Sequence, residues 1–386
     1  MAGPLTGIRV IDATSFLFGP IATQMLGDMG ADVIKVEPPG GDPTRGVGKT
    51  RTPLMGSMFL NVNRNKRSVV LDLKSHEGSK AMRRLLGEAD VFVHNIRATA
   101  LRKLSLDYAS LKADFPNLIH AAAHGFGSRG RYFGRPAYDD VIQALSGLTD
   151  LNERANGRAS YVPMLMADKI CGLFLAYAIS NALFHRLKTG RGQEIQVPMF
   201  ESMVTFNLMD HMADGVFVPE SATEEAVPFG YPRVLSLSHR PLPTGDGFIC
   251  VIANTDAQWR RLFDVIGHDE LADDERYASI ASRMTHIDSL YEVMEGALRT
   301  RNTNEWVALF EVADVPAAPV QGLSNLRQDP HLNDTGFFRT VAHDSEGSLL
   351  TTDIPIEMSD SPGSIVRLPP RLGQHTEEVL REIGLG

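Results

Sequence analysis

Over its first half the chain alternates short apolar runs with segments of helical spacing, and this rhythm narrows the fold more than any other feature. Ile8-Arg9-Val10-Ile11-Asp12 predicts a strand, and Gly19-Pro20 opens a helix that runs through Met29. Pro20 suits a first helical turn and Gly30 suits the stop. Further strands are expected at Asp32–Glu37, Ser68–Leu73, Val91–His94 and Leu118–Ala122, with a helix from about Glu77 between them. Near-continuous apolar strands separated by helices predict a parallel sheet covered on both faces. Ligands of such sheets bind beyond the carboxyl ends of the strands.

A second constraint is the apolar segment that begins after Asp168. It runs through Ile170, Cys171, Leu173, Phe174, Leu175, Ala176, Tyr177, Ala178 and Ile179, and ends at Thr189-Gly190-Arg191-Gly192-Gln193. A helix this apolar is read as a core helix, and a carboxylate entering a core needs a reason. At a helix N-terminus the free N–H groups and the dipole favour the ionised form. An oriented, partly desolvated carboxylate is what covalent catalysis at an acyl centre requires. The plainer alternative is a helix cap. Capping is likewise the plain account of Tyr138-Asp139-Asp140 before the short helical stretch Val141–Leu145.

After that helix, Glu194–Val197 predicts one more strand of the same sheet. Composition changes from about Pro219, where a smaller unit begins. It holds a strand at Phe248–Ala253 and helices at Trp259–Ile266, Ile287–Leu298 and Thr303–Val312. Beyond Pro316 the chain is expected to be loop-rich until a last helix near Thr376–Ile383. The expected division is a large domain over 1–200, a linker over 201–224, a small domain over 225–325, and a segment over 326–386 that returns to the large domain.

The 386 residues suffice for about two domains, and a net charge of −9 argues against nucleic acid or an anionic membrane as main partner. Cys171 and Cys250 offer no metal-ligand spacing, so no metal is expected and a reducing compartment is the natural inference. Arg9 and Asp12 interrupt the early apolar run, so no signal peptide is expected. Asn181, His185 and Arg186 leave the run after Asp168 short of the ~20 apolar residues of a membrane span. A cytoplasmic protein without membrane attachment is expected.

Two motifs mislead. Gly125-Phe126-Gly127-Ser128-Arg129-Gly130 fits GxGxxG, but Arg131 to Pro136 continue it as loop, where a dinucleotide fingerprint must open a helix. Gly48-Lys49-Thr50 resembles the end of a phosphate-binding loop, yet it runs into Arg51-Thr52-Pro53 and no helix starts. Neither GxSxG nor HExxH occurs. Basic residues gather in the early loops: Arg45, Lys49, Arg51, Arg64, Lys66, Arg67, Lys74, Arg97, Arg102 and Lys103. Their position at strand-to-helix transitions points to a phosphate-bearing ligand, and the plain alternative is a solvated face.

These pieces occur in the order of a known family. Leu5–Asp12, Phe18-Gly19-Pro20, Leu26–Glu37, Gly41–Arg45, Asn65–Ser68, Leu71–Lys74 and Ala89–Asn95 carry the match in the first hundred residues. Gly125-Phe126-Gly127, Arg135-Pro136, Tyr138-Asp139 and Thr189–Gln193 extend it. Asp246-Gly247-Phe248, Asp329–Leu332 and Leu372–Thr376 complete it. The chain resembles the class III CoA-transferases and the related α-methylacyl-CoA racemases over essentially its whole length.

The resemblance implies an α/β fold: a Rossmann-like large domain with a parallel sheet, a smaller α+β domain, and an interlocked homodimer. It implies coenzyme A as substrate, with acyl-CoA and carboxylic acids as partners. Asp168 would be the catalytic carboxylate. CoA contacts would come from Phe16, Leu17 and Phe18, from Leu71, Asp72, Leu73 and Lys74, from Asn95, Ile96, Arg97 and Lys103, and from Pro136 to Asp139, including Tyr138. Phe16, Phe18 and Met166 would give the pocket apolar content, and the Gly125–Gly130 loop would supply oxyanion donors or a lid. Departures are Pro38, where some members carry a basic residue, and Leu17, where some carry glutamine. The small domain has no run of glycines, which argues against oxalate and formate. Tyr138 stands where the racemases use histidine, so a two-base proton shuttle lacks one partner. Transfer through an acylated Asp168 is the expected activity. Racemisation with Asp168 as base, or CoA binding without catalysis, are the alternatives.

Overall fold

The computed structural model describes residues 3–219 and 227–385. Residues 220–224 of the expected linker lie outside them. The described residues form two compact units: one comprises 3–146, 163–206 and 330–385, and the other 147–162 and 207–329 without 220–226. Residues 147–162 thus group with the second unit, and the segment expected as linker carries the helix Met199–His211.

In the first unit six strands form one sheet: β1 (Arg9–Ala13), β2 (Asp32–Glu37), β3 (Lys66–Val70), β4 (Val91–His94), β5 (Ile119–His124) and β6 (Glu194–Pro198). Their order is β3-β2-β1-β4-β5-β6, and every neighbouring pair is parallel. The α/β architecture with a parallel sheet is as expected from the alternation. The strand order reverses direction between β1 and β4, and that crevice is where such a sheet opens a ligand site.

β3 starts at Lys66, two residues before the expected Ser68, and the reason is chemical. Lys66 and Arg67 were expected among loop cations, yet both are buried. Lys66 Nζ lies 3.0 Å from Asp12 Oδ2. Arg67 pairs with Asp32, Glu378 and Glu382. Arg45, fully buried, sets its guanidinium 2.6 Å from Glu37 and over the Phe59 ring. Arg64 pairs with Asp28 at 2.8 Å. The expectation of a phosphate-binding group therefore fails for Arg45, Arg64, Lys66 and Arg67, which hold the strand ends and the C-terminal segment instead. Buried charges persist only in such pairs. Burial opposes ionisation of Asp12, but Lys66 and Lys35 outweigh it and hold its carboxyl below the usual range.

In the second unit β7 (Leu242–Pro243), β8 (Phe248–Val251) and β9 (Ala317–Pro319) form a small antiparallel sheet. Its core holds Leu262, Phe263, Leu290, Met294, Trp306 and Phe310. The helix expected from Trp259 begins at Asp256, because Thr255 and Gln258 form a reciprocal cap.

The C-terminal segment packs on the frame of the first unit. Asn65 accepts the backbone N–H groups of Val366 and Arg367, and Ser68 Oγ accepts that of Gly373. The expected loop-rich stretch contains an antiparallel hairpin, β10 (Phe338–His343) with β11 (Gly347–Thr352). Its turn was hidden because it places Gly347 at φ +65° after Ser345-Glu346, without a two-residue hairpin signal.

The apolar segment is one helix, Met166–Thr189. It buries Ala167, Cys171, Gly172, Leu175, Ala176, Ile179, Ala182 and Leu183. Leu173, Tyr177, Phe184 and Leu187 remain exposed on its other side. It is a core helix, as expected, along one stripe only. By length and composition it is apolar enough to cross a membrane, so counting Asn181, His185 and Arg186 as disqualifying was too strict.

Candidate active site

Asp168 occupies the third position of the helix Met166–Thr189, whose N-cap residue Leu165 makes no side-chain cap bond. The cap comes from elsewhere in the chain. Asp139 Oδ2 accepts the backbone N–H of Asp168 at 2.9 Å, and Asp139 Oδ1 accepts Gln143 Nε2 at 2.5 Å. Asp139 therefore satisfies an orphan N–H of a helix to which it does not belong. The expected capping of the following helix by Tyr138-Asp139-Asp140 is not what forms. The helix Asp139–Leu145 has no side-chain cap, and Asp139 instead bonds the helix that carries Asp168, whose own side chain does not cap that helix.

The Asp168 carboxylate faces the start of the first helix, Phe18–Asp28, near the backbone N–H of Phe18. The two helices approach closely because position 172 is glycine. A Cβ there would lie 3.0 Å from Ile21 Cγ2 and 3.1 Å from the Phe18 carbonyl oxygen. Burial, and then the negative charge of Asp139, push the Asp168 carboxyl up to about 7, while the Phe18 N–H partly offsets them. The side chain titrates near neutrality, where a group can serve as acid, base or nucleophile. One turn on, burial together with Asp168 and Asp139 raises the Cys171 thiol to about 12, which leaves it inert.

Around Asp168 opens a cavity of about 390 Å³. Phe16, Leu17, Phe18, Asn95, Arg97, Pro136, Tyr138 and Asp139 line it. A neighbouring cavity of about 430 Å³ is lined by Leu71, Asp72, Leu73, Lys74, Asn95 and Ile96. The structure thus gathers the expected residues into two adjoining spaces at the carboxyl edge of the sheet. Lys103, at the end of the helix Ala98–Lys103, lines neither. Met166 is also absent from the lining, which Leu165 supplies instead.

Ser15 joins Asn95 in lining both cavities. The two residues exchange hydrogen bonds, Ser15 N–H to Asn95 Oδ1 at 3.1 Å and Asn95 Nδ2 to the Ser15 carbonyl at 2.9 Å. They tie the loop after β1 to the loop after β4 across the crevice. Lys35 Nζ donates to the Thr14 carbonyl at 2.8 Å and pairs with Asp42 at 2.9 Å. Phe16 is held at φ +66°, rare for a bulky residue, and its ring meets Tyr138 edge-on at 5.5 Å. The sequence reading missed Ser15, which carries no motif, and His124, whose only signal was its place at the end of a strand before Gly125.

The glycine loop is partly spoken for. Gly127 N–H is shared by the two Glu201 oxygens at 2.9 and 3.2 Å, and Gly130 N–H goes to the Gly127 carbonyl at 3.1 Å. Those two N–H groups are engaged and do not face a reacting carbonyl. Among the described residues no group of three or more His, Cys, Asp or Glu side chains is placed to hold a metal ion.

Comparison with known proteins gives the site its context. The family model described as CoA-transferase family III matches residues 5–376. A succinate–glutarate CoA-transferase of Agrobacterium fabrum is 35% identical, with 98% of this chain and 96% of that protein covered. The human succinyl-CoA:glutarate CoA-transferase is 31% identical over 98% of this chain and 86% of its own length. A crystal structure of a CaiB/BaiF family protein from Brucella suis superposes with a TM-score of 0.82 at 30% identity, covering 99% of this chain and 100% of that one. The match spans both units and every segment that lines the two cavities, so the chain belongs to CoA-transferase family III and is a CoA-transferase.

Proposed function

We propose that this CoA-transferase works through covalent intermediates on Asp168. The reading rests on one observation above others: a carboxylate that titrates near neutrality lines a cavity at the carboxyl edge of the sheet, against a helix N-terminus. In its ionised form an Asp168 oxygen attacks the thioester carbonyl of the donor. The C–S bond breaks, CoA leaves as thiolate, and an aspartyl mixed anhydride remains. The thiolate then attacks the aspartyl carbonyl, giving an aspartyl-CoA thioester and releasing the donor acid. The acceptor carboxylate attacks that thioester and expels the thiolate again. Attack of the thiolate on the acceptor's carbonyl forms the new acyl-CoA and restores Asp168.

Each exchange passes between activated acyl states, so no external energy source enters. Each intermediate hydrolyses if water reaches it. The Phe18 N–H, at the head of the first helix, can hold the Asp168 oxygen that carries charge in each step. The Asp139 charge disfavours the ionised resting state and thereby sharpens the nucleophile.

CoA is proposed to lie across the two cavities, with its phosphate-bearing end near Lys74 and its thioester near Asp168. Arg97, at the head of the helix Ala98–Lys103, and Lys103 at its end are the remaining cations of that path. Succinyl-CoA is the proposed donor, by analogy with the relatives whose names contain it. Two chains are proposed to assemble as a homodimer. The exposed apolar side chains Leu173, Tyr177, Phe184 and Leu187 support that reading, since such a face needs a partner. The cytoplasm is the proposed compartment, consistent with the free cysteines Cys171 and Cys250. Racemisation finds no support at Tyr138, whose phenol replaces the second base.

The test is chemical. Incubation with succinyl-CoA and then with hydroxylamine or borohydride should modify Asp168, read by peptide mass. Asp168→Asn should retain CoA binding and lose transfer. An unmodified Asp168 in an actively turning-over sample refutes the mechanism.

A further inference from the structure

Behind the glycine loop lies a second chamber, of about 230 Å³, that the transfer mechanism does not use. It shares Ala98, His124 and Phe133 with the Asp168 cavity, so the two meet at the end of β5. Three histidines furnish it. His94 and His120 stand with ring centroids 4.9 Å apart, and His94 and His124 stand 5.8 Å apart. Phe133 meets His124 edge-on at 5.6 Å at the doorway.

The histidines are unusual for a core. His94 is 0% exposed and His120 1%. Neither ring nitrogen of His94 has a partner in hydrogen-bonding geometry among the described residues, although the backbone of Ile96 lies close. His120 Nε2 lies 2.9 Å from the Leu106 carbonyl, which fixes the proton on Nε2 and leaves Nδ1 as a bare acceptor. That Nδ1 is buried and also without a partner. Buried polar atoms are normally satisfied, so a fully enclosed acceptor next to an unpaired imidazole calls for a donor from outside the chain. The histidines are not placed to hold a metal ion.

The chemistry of that donor is narrow. Burial, and the neighbouring imidazoles, hold His94 neutral, and burial does the same for His120 and His124. The remaining charged lining residues are Arg102, Asp107 and Glu194, two carboxylates to one cation. An anionic group gains little there and supplies no proton to His120 Nδ1. A hydroxyl or primary amide fits, because it donates to one ring nitrogen and accepts from another.

We propose that this chamber receives the far end of the acid activated at Asp168 and selects an uncharged hydroxyl or amide terminus. The inference rests on the transferase reading above. The carboxylate end of the acid is held at Asp168, the chain passes His124 and Phe133, and the terminus meets His94 and His120. The acceptor class is then a hydroxy or amido carboxylic acid of medium length.

The experiment compares ω-hydroxycaproate, caproate and adipate as acceptors from succinyl-CoA. The hydroxy acid should exceed both others in kcat/KM by about tenfold or more, since a site built around a substrate hydroxyl rejects analogues that lack it. His120→Phe and His94→Leu should bring that ratio close to one. Because buried substitutions can impair folding, the unaltered protein gives a second reading. Its His120 Nδ1 resonance should move when ω-hydroxycaproate binds and stay in place with caproate. Equal use of the three acids, a ratio unchanged in the folded variants, or a static His120 resonance overturns the inference. An Asp168 left unmodified during turnover with these acids sinks the covalent mechanism and this inference together, whereas modification of Asp168 without the preference sinks this inference alone.

Discussion

The Asp139 carboxylate takes the backbone N–H of Asp168 at 2.9 Å and raises the titration of the Asp168 side chain through its charge. One residue thus both anchors the helix that carries Asp168 and, after burial, contributes to the raised titration of its carboxyl.

Activity should depend on pH through this pair. Only the ionised form of Asp168 attacks a thioester, and its carboxyl lies at about 7. kcat/KM for the acyl-CoA donor is expected to rise with pH through neutrality and to level off above it. Asp139→Asn removes the charge that contributes to the upward shift, so the midpoint should move to lower pH. A pH–rate profile of both proteins reads this directly, and an unmoved midpoint contradicts it.

Stability should track the same group with the opposite sense. The folded-state value of Asp168 lies above the ordinary 3.8, so the folded chain binds the proton more tightly than the unfolded chain. That contribution is full below about 3.8 and is lost as pH rises toward 7. Asp168→Asn, which never ionises, should therefore stabilise the protein by an amount that grows from acid pH to neutrality and then stays constant. Thermal melts across that range test the trend.

Arg45 offers a stability prediction independent of catalysis. Its side chain is fully buried against Glu37 and also reaches the Pro370 carbonyl. Arg45→Met strands the Glu37 charge and should cost about 3–5 kcal/mol in urea denaturation. Adding Glu37→Gln should restore a substantial part of that loss. Failure of the second substitution to compensate would show that packing, and not charge, dominates there.

Lys74 lines the second cavity, away from Asp168. Lys74→Ala should raise KM for acyl-CoA about tenfold with kcat little changed, because a remote ionic contact contributes uniform binding. The difference should shrink at high salt. A fall in kcat alone would argue against CoA lying in that cavity.

The sheet was legible because its apolar strands repeat between helices, and β2 came out with its predicted bounds. β3 did not, since Lys66 and Arg67 look like loop cations until their buried partners Asp12 and Asp32 are known. Pairing of residues far apart in the chain leaves no local pattern. The same limit hid the site's inner organisation. Asp168 stood out by its apolar context, but the bond from Asp139 joins residues 29 positions apart. The Ser15–Asn95 exchange spans 80. The histidine chamber was invisible for a different reason: His94, His120 and His124 sit on two strands, and nothing in their spacing distinguishes an inward from an outward ring.

Gly172 lets the helix bearing Asp168 rest directly on the backbone of the helix that begins at Phe18. Asp168 is therefore located by the close approach of two helices at Gly172 together with the Asp139 bond to its backbone N–H. Wall residues that take no part in that placement, such as Phe16 and Tyr138, can be exchanged by mutation while Asp168 stays where it is, so new acid preferences can arise on this scaffold without moving its carboxylate.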